Sequence, residues 1–251
     1  MIQIRIKLPS EYPPEFPVSI AGRLKHAFGE NLPEYAVLIG AYLQPKIRDS
    51  IFDFESNRMS VSNDSENEFN EMGFYVLTDG EKSNFLVFVS GEPGEYDVHE
   101  GQSLALHVFS YLGYETVVIM DGVKAVDAIS EPIIITDHIN LTGINPLDYW
   151  MKVEEANPFF IDMKELYVQP KSNDLKSGTH IAVACELKNN VDNNIKKGKA
   201  ICYGESICPE SILAGYLGMK VLAIGFDDSS SEWAKNNRNT IFEIMTQKEK
   251  N

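Results

Sequence analysis

The sequence predicts a single α/β domain spanning residues 1–251, built as a mixed, mainly parallel twisted sheet with helices on both faces. Three observations carry this expectation. Short apolar runs rich in β-branched residues recur along the chain, amphipathic stretches alternate with them, and a length of 251 residues suits one core. Strands separated by helices return in the same direction, so most of the sheet is expected to be parallel and covered on both sides.

The strand candidates are residues 35–40, 74–77, 85–90, 116–120, 132–136, 181–185 and 220–225, each apolar and bounded by turn residues. Helices are expected over 19–28, 101–112, 209–217 and 231–245, where apolar residues recur at helical spacing. The polar stretches 55–71, 171–178 and 188–197 read as surface loops, because core strands resume on either side. Residues 246–251 are charged and read as a fraying tail.

Composition narrows the function classes. The hydrophobic fraction of 43% and charged fraction of 24% are those of a folded globular chain. A formal charge of −15 repels phosphate backbones and anionic lipid, so neither nucleic acid nor membrane is an expected partner. Cys185, Cys202 and Cys208 are an odd set without metal-like spacing, read as reduced thiols. Residues 1–5, followed by Pro9, Pro13 and Pro14, fit neither a signal peptide nor a membrane span, which places the protein in the cytoplasm or nucleus. His26, His99, His107, His138 and His180 are scattered, so no metal is expected. No Gly-rich nucleotide loop follows a strand, so no cofactor is expected either. The run from Tyr203 to Ile207 has only part of a nucleophile elbow, since its last glycine is missing and no histidine follows it.

The most informative stretch reads I-I-I-T-D-H-I-N-L-T-G over residues 133–143, followed by Asn145-Pro146-Leu147. Taken alone, Asp137 and His138 after a strand fit either an acid–base pair or a turn that caps its own backbone. As a string, the segment resembles the signature of the purine nucleoside phosphorylases. Further landmarks follow in that family's order. Residues 160–167 resemble its F-x-x-M-x-x-x-Y stretch, and 204–210 (G-E-S-I-C-P-E) its G-M-S-T-V-P-E turn; residues 217–221 match the strand start behind that turn. Residues 37–43 stand where the family carries G-S-G-L-G, and 94–101 where it carries G-R-x-H-x-Y-E-G. The resemblance implies a nucleoside-phosphorylase-like fold, a scaffold role for the 137–141 segment near subunit contacts, and a homo-oligomer, a trimer by likeness with a dimer as the other possibility.

The same comparison implies an altered site. At the phosphate positions Ala41 stands for a hydroxyl residue, Tyr42 and Gln44 for glycines, Glu95 for the arginine and Asp97 for the histidine. A carboxylate about 4 Å from a phosphate charge costs roughly 4 kcal/mol at an effective dielectric near 20, and about 1.4 kcal/mol is tenfold in affinity. The substrate positions carried over are His99 (for tyrosine), Asp121, Gly122, Glu205 (for methionine), Ser206, Asp228 and Ser229, the last two near the pair that orients the purine. On its own, the polar run at 227–231 reads as a helix cap. No counterpart of the family's G-P-x-F-E-T-P segment lies between Cys185 and Ala200, and no histidine follows His180.

The sequence therefore points to a phosphorylase homologue that has lost its catalysis and acts as an oligomerising or protein-binding module. The alternative is an active enzyme on purine nucleosides, either a phosphorylase that needs only phosphate or a hydrolase in which Glu95 or Asp97 activates water. A third reading is an unrelated α/β protein.

Overall fold

A computed structural model describes residues 3–5, 15–29, 31–52, 73–79, 83–90, 98–143, 145–147, 162–170, 174–184 and 200–246. Glu95, Asp97, Cys185, the polar stretches 55–71 and 188–197, and the tail beyond residue 246 lie outside the described residues.

Among the described residues ten strands form one sheet, in the order β1-β3-β4-β2-β5-β10-β7-β8-β9-β6. They are β1 (Gln3–Arg5), β2 (Tyr35–Ile39), β3 (Gly73–Asp79), β4 (Ser83–Val89), β5 (Thr116–Gly122), β6 (Lys124–Ala125), β7 (Ile133–Leu141), β8 (Ser177–Val183), β9 (Cys202–Gly204) and β10 (Lys220–Phe226). Strands β4, β2, β5 and β10 run parallel to one another, as do β7, β8 and β9, and the antiparallel pairings fall at both edges and between β10 and β7. The mixed, mainly parallel sheet expected from the sequence is thus present.

Along β2, alternate residues enter opposite cores: Ala36 and Leu38 pack on one side, Val37 and Ile39 on the other. A strand buried on both faces reads as a continuous apolar run, and that run made it legible. The first face is covered by α1 (Phe16–Phe28), α3 (Val98–Leu112) and α4 (Cys208–Tyr216). The second is covered by α2 (Pro45–Phe52), α5 (Ser231–Asn236) and α6 (Arg238–Thr246). Helices on both faces therefore match the expectation. No helix among the described residues is long and apolar enough to cross a membrane.

Two boundaries differ from the sequence reading. The helix expected over 231–245 is broken at Asn237, whose side chain donates to the Trp233 carbonyl at 2.9 Å and stops α5. The D-H-I-N-L segment is not a turn: β7 runs straight through it, pairing with β8 from Ile134 to Leu141 with a bulge between Ile135 and Asp137. Its polar residues interrupt the apolar signal, but the β8 ladder supplies the backbone partners that sustain a strand.

Candidate functional site

The carboxyl ends of parallel strands, where chain direction switches, are the usual place for a ligand cleft. Here β2 ends at Ile39 beside Met120 of β5, so Gly40 and Asp121 are neighbours. Strand β10 flanks β5 on the other side, with Gly225 opposite Asp121 and Phe226 opposite Gly122. The sheet therefore brings the carried-over positions Ala41, Asp121 and Gly122 to one rim.

Asp121 is 1% exposed and lies tightly against Gly40: a Cβ on that glycine would stand 1.7 Å from Asp121 Oδ2. Its Oδ1 accepts from the Gly122 amide at 2.7 Å, while Oδ2 has no hydrogen-bond partner. Burial raises its pKa to about 7, and the charge of Glu210 pushes in the same direction against the hydrogen bonds it receives. Ser206, also 1% exposed, stands beside it, and its hydroxyl works against that rise.

The turn from Gly40 to Gln44 lies across this rim. A Cβ on Gly122 would fall 2.0 Å from the Tyr42 carbonyl oxygen, so the turn's backbone is pressed onto the end of β5. Ala41 sits within it and brings no hydrogen-bonding side chain. Two side chains fasten the turn. Tyr42 donates its hydroxyl to Glu205 Oε2 at 2.6 Å, and Gln44 Nε2 donates to Asp228 Oδ1 at 2.7 Å. Tyr42 and Gln44, which the resemblance sets at the phosphate positions, are thus bonded to Glu205 and Asp228, which it sets at the substrate positions. Burial, the hydrogen bond to Glu205 and the charges of Glu205, Asp121 and Glu210 together raise the Tyr42 pKa beyond the ordinary phenol range.

Glu210, in the first turn of α4 and 3% exposed, approaches His99 Nδ1 at 3.2 Å and leaves Oε2 without a partner. His99 is thereby placed at the mouth of the same cluster. The turn that leads into α4 is strained: Ile207 has φ 71° and ψ −52°, near the γ-turn values that cost a β-branched residue about 1–3 kcal/mol. That strain sits between Ser206 and Glu210, both of which face the cluster.

Ser229 has a different role. Its hydroxyl donates to the Ile129 carbonyl at 2.6 Å and contacts Asp227 Oδ1 at 2.8 Å, and Asp227 also accepts from the Ala125 amide at 3.0 Å. Asp227 caps the following 3₁₀ turn through the Ser229 amide. Ser229 thus clasps β10 to the 125–129 segment, in keeping with the helix-cap reading of this run.

Asp137 and His138 do not form an acid–base pair. Asp137 Oδ1 accepts from the His138 amide at 2.8 Å, while the His138 ring meets the Tyr167 hydroxyl at 2.7 Å. Sequence reasoning missed His180, which is fully buried with neither ring nitrogen bonded; burial pushes its pKa down to about 3, with a smaller contribution from His138. Only its position opposite His138 across the β7–β8 ladder connects it to the landmark segment, and that pairing is invisible without register. Among the described residues no group of three or more His, Cys, Asp or Glu side chains is arranged to hold a metal.

No protein-family profile matches the chain, and no curated protein matches it in sequence. Solved structures do match in shape. A purine nucleoside phosphorylase in complex with ribose-1-phosphate superposes with a TM-score of 0.65 at 16% identity, covering 94% of this chain and 98% of that one. The fold is that of the purine nucleoside phosphorylases. A schistosoma phosphorylase bound to hypoxanthine gives a TM-score of 0.66 at 14% identity, covering 95% of this chain and 98% of that one. Isoform 2 of the Schistosoma mansoni enzyme, with cytosine and ribose-1-phosphate, gives 0.60 at 17% identity, covering 93% and 96%. The phosphorylase fold thus extends over nearly the whole chain, with Tyr42, Asp121, Glu205 and Glu210 gathered at the ends of its central strands.

Proposed function

We propose that this chain is a phosphorylase-fold protein without phosphorolytic activity, working as an oligomerising or protein-binding module. The observation that carries the reading is the Asp121–Glu205–Glu210 carboxylate cluster, which lies under a turn fastened by Tyr42 and Gln44. Phosphate would meet the Glu205 and Glu210 side chains there in place of a cationic cradle, and each close carboxylate is worth a large factor in affinity.

A chromatographic assay for free purine from inosine, guanosine, adenosine and methylthioadenosine tests it at high protein concentration. No release is expected with or without phosphate; release that depends on phosphate would sink the reading. The hydrolytic alternative draws on one observation, a buried Asp121 carboxyl titrating near neutrality as a general acid does. It requires phosphate-independent release that disappears in Asp121→Asn.

The assembly half of the reading draws on Ile139 and Leu141, which are 39% and 52% exposed on the same face of β7. Large apolar side chains repeated along one strand suit a protein contact. Sedimentation velocity is expected to show a self-associated species that the double substitution Ile139→Lys, Leu141→Lys converts to monomer. A wild-type monomer at all concentrations would limit the module to other partners.

A further inference from the structure

We infer that His180 is an acid-operated latch: by taking up a proton it detaches the short strand β9, and with it the Glu205 end of the Tyr42–Glu205 fastening. The latch is built from strand register. His138 of β7, His180 of β8 and Cys202 of β9 stand side by side across three parallel strands, so their side chains share one face of the sheet. His180 is fully buried in the middle of that row, and neither of its ring nitrogens has a hydrogen-bond partner. A Cβ on Gly204 would stand 3.3 Å from His180 Nε2 and 3.4 Å from the Gly122 carbonyl oxygen. One edge of the imidazole therefore rests on the backbone of β9, beside the end of β5.

The groups around this row do not favour an imidazolium. From β7 the titratable neighbour is His138, whose Nδ1 is engaged with the Tyr167 hydroxyl and whose charge opposes a second one. From β9 it is Cys202, a thiol that burial keeps protonated. From α4, which packs on β8, they are Cys208, a thiol raised in the same way, and Glu210, whose carboxylate bears on His99, Tyr42, Asp121 and Tyr167. At the end of β5 and on β6 they are Asp121, pressed against Gly40, and Lys124, which lies 3.8 Å from Asp227. A protonated His180 is thus stable only once water reaches it.

The least costly way to admit water is from the edge of the sheet. Strand β9 has three residues and β6, outside it, has two, so a short ladder holds them. Strand β5 is held between β2 and β10, and Asp121 stays covered when β9 leaves. Glu205 follows Gly204 directly and accepts the Tyr42 hydroxyl at 2.6 Å. Detaching β9 therefore breaks that bond, and the turn at residues 40–44 loses one of its two fastenings.

Amide hydrogen exchange of the full chain at pH 7.5 and 5.5, corrected for the intrinsic pH dependence of exchange, reads the latch. Folded His180 stays unprotonated down to about 3, whereas an exposed histidine titrates near 6.5, so the open form should become about tenfold more populated over that interval. Protection over residues 201–206 and 40–44 is expected to fall about tenfold, with β2, β5 and β10 unchanged. His180→Phe keeps an aromatic ring that cannot titrate and should remove the pH dependence from both segments; His138→Gln should keep it. Near-ultraviolet circular dichroism verifies that each variant is folded, with His180→Leu as the second choice at that position, and the wild-type pattern decides without either. Protection that does not change at pH 5.5, a loss shared equally by β2 and β5, a loss over 201–206 without one over 40–44, or a pH dependence retained in a folded His180 variant would each overturn the inference.

Discussion

Replacing Asp121 by Asn is expected to stabilise the protein relative to wild type increasingly between pH 4 and pH 7, the difference growing by about 4 kcal/mol over that interval. The sign follows from where the proton sits. An unfolded Asp ionises near pH 4, but the buried Asp121 holds its proton up to about 7 because burial and the Glu210 charge disfavour the carboxylate. Between those values the unfolded chain has lost a proton that the folded chain keeps, so stability falls as pH rises and levels off above 7. Asn removes that slope.

His180 works in the opposite sense. Its folded pKa of about 3 lies below the unfolded value near 6.5, so the unfolded chain gains a proton first as pH falls, and stability drops across that window. The lowered pKa of His138 adds to the same trend. In the wild type the Asp121 and His180 slopes offset each other between roughly pH 4 and 6.5; in Asp121→Asn the histidine slope is unmasked, about 1.4 kcal/mol per pH unit. Urea unfolding of both proteins from pH 4.5 to 8 reads this directly. Curves that stay parallel would mean that Asp121 does not hold its proton in the fold.

The second large effect is expected from Gly40→Ala. The new methyl would stand 1.7 Å from Asp121 Oδ2, and a side chain 1% exposed has no free space to turn into. Overpacking of this kind costs about 1–3 kcal/mol and more when nothing can give, so a loss of at least about 3 kcal/mol is expected. Truncating the obstacle should rescue it: Gly40→Ala combined with Asp121→Ala should return to within about 1 kcal/mol of Asp121→Ala alone, a coupling that a double-mutant cycle measures. Gly122→Ala is the contrast. Its methyl meets the Tyr42 backbone carbonyl at 2.0 Å, so no side-chain truncation at Tyr42 can relieve it. Rescue at Gly122 by Tyr42→Ala, or none at Gly40 by Asp121→Ala, would show that the turn is seated differently.

The sheet was legible because its central strands are buried on both faces and therefore read as unbroken β-branched runs, as in β2, β5 and β10. Short or polar elements were not. Strands β6 and β9 contain two and three residues, too few to show periodicity, and α2 is a single eight-residue helix following the turn. The β7 extension was hidden because Asp137, His138 and Asn140 break the apolar alternation, and only pairing with β8 makes it a strand. At the site, sequence comparison placed the individual departures Tyr42, Gln44, Glu205 and Asp228. It gave no sign that they form two bonded pairs, since residues more than 160 positions apart meet only in the folded chain. The Gly40–Asp121 contact and the buried His180 depend likewise on strand register.

The pairing of Tyr42 with Glu205 makes the two positions depend on each other. Restoring the methionine that the resemblance puts at position 205 would leave the Tyr42 phenol without its 2.6 Å acceptor, and restoring glycine at 42 would leave Glu205 without that donor. Positions 42 and 205 are therefore expected to vary together, each tolerating a change best when the other changes with it, although 163 residues separate them in the chain.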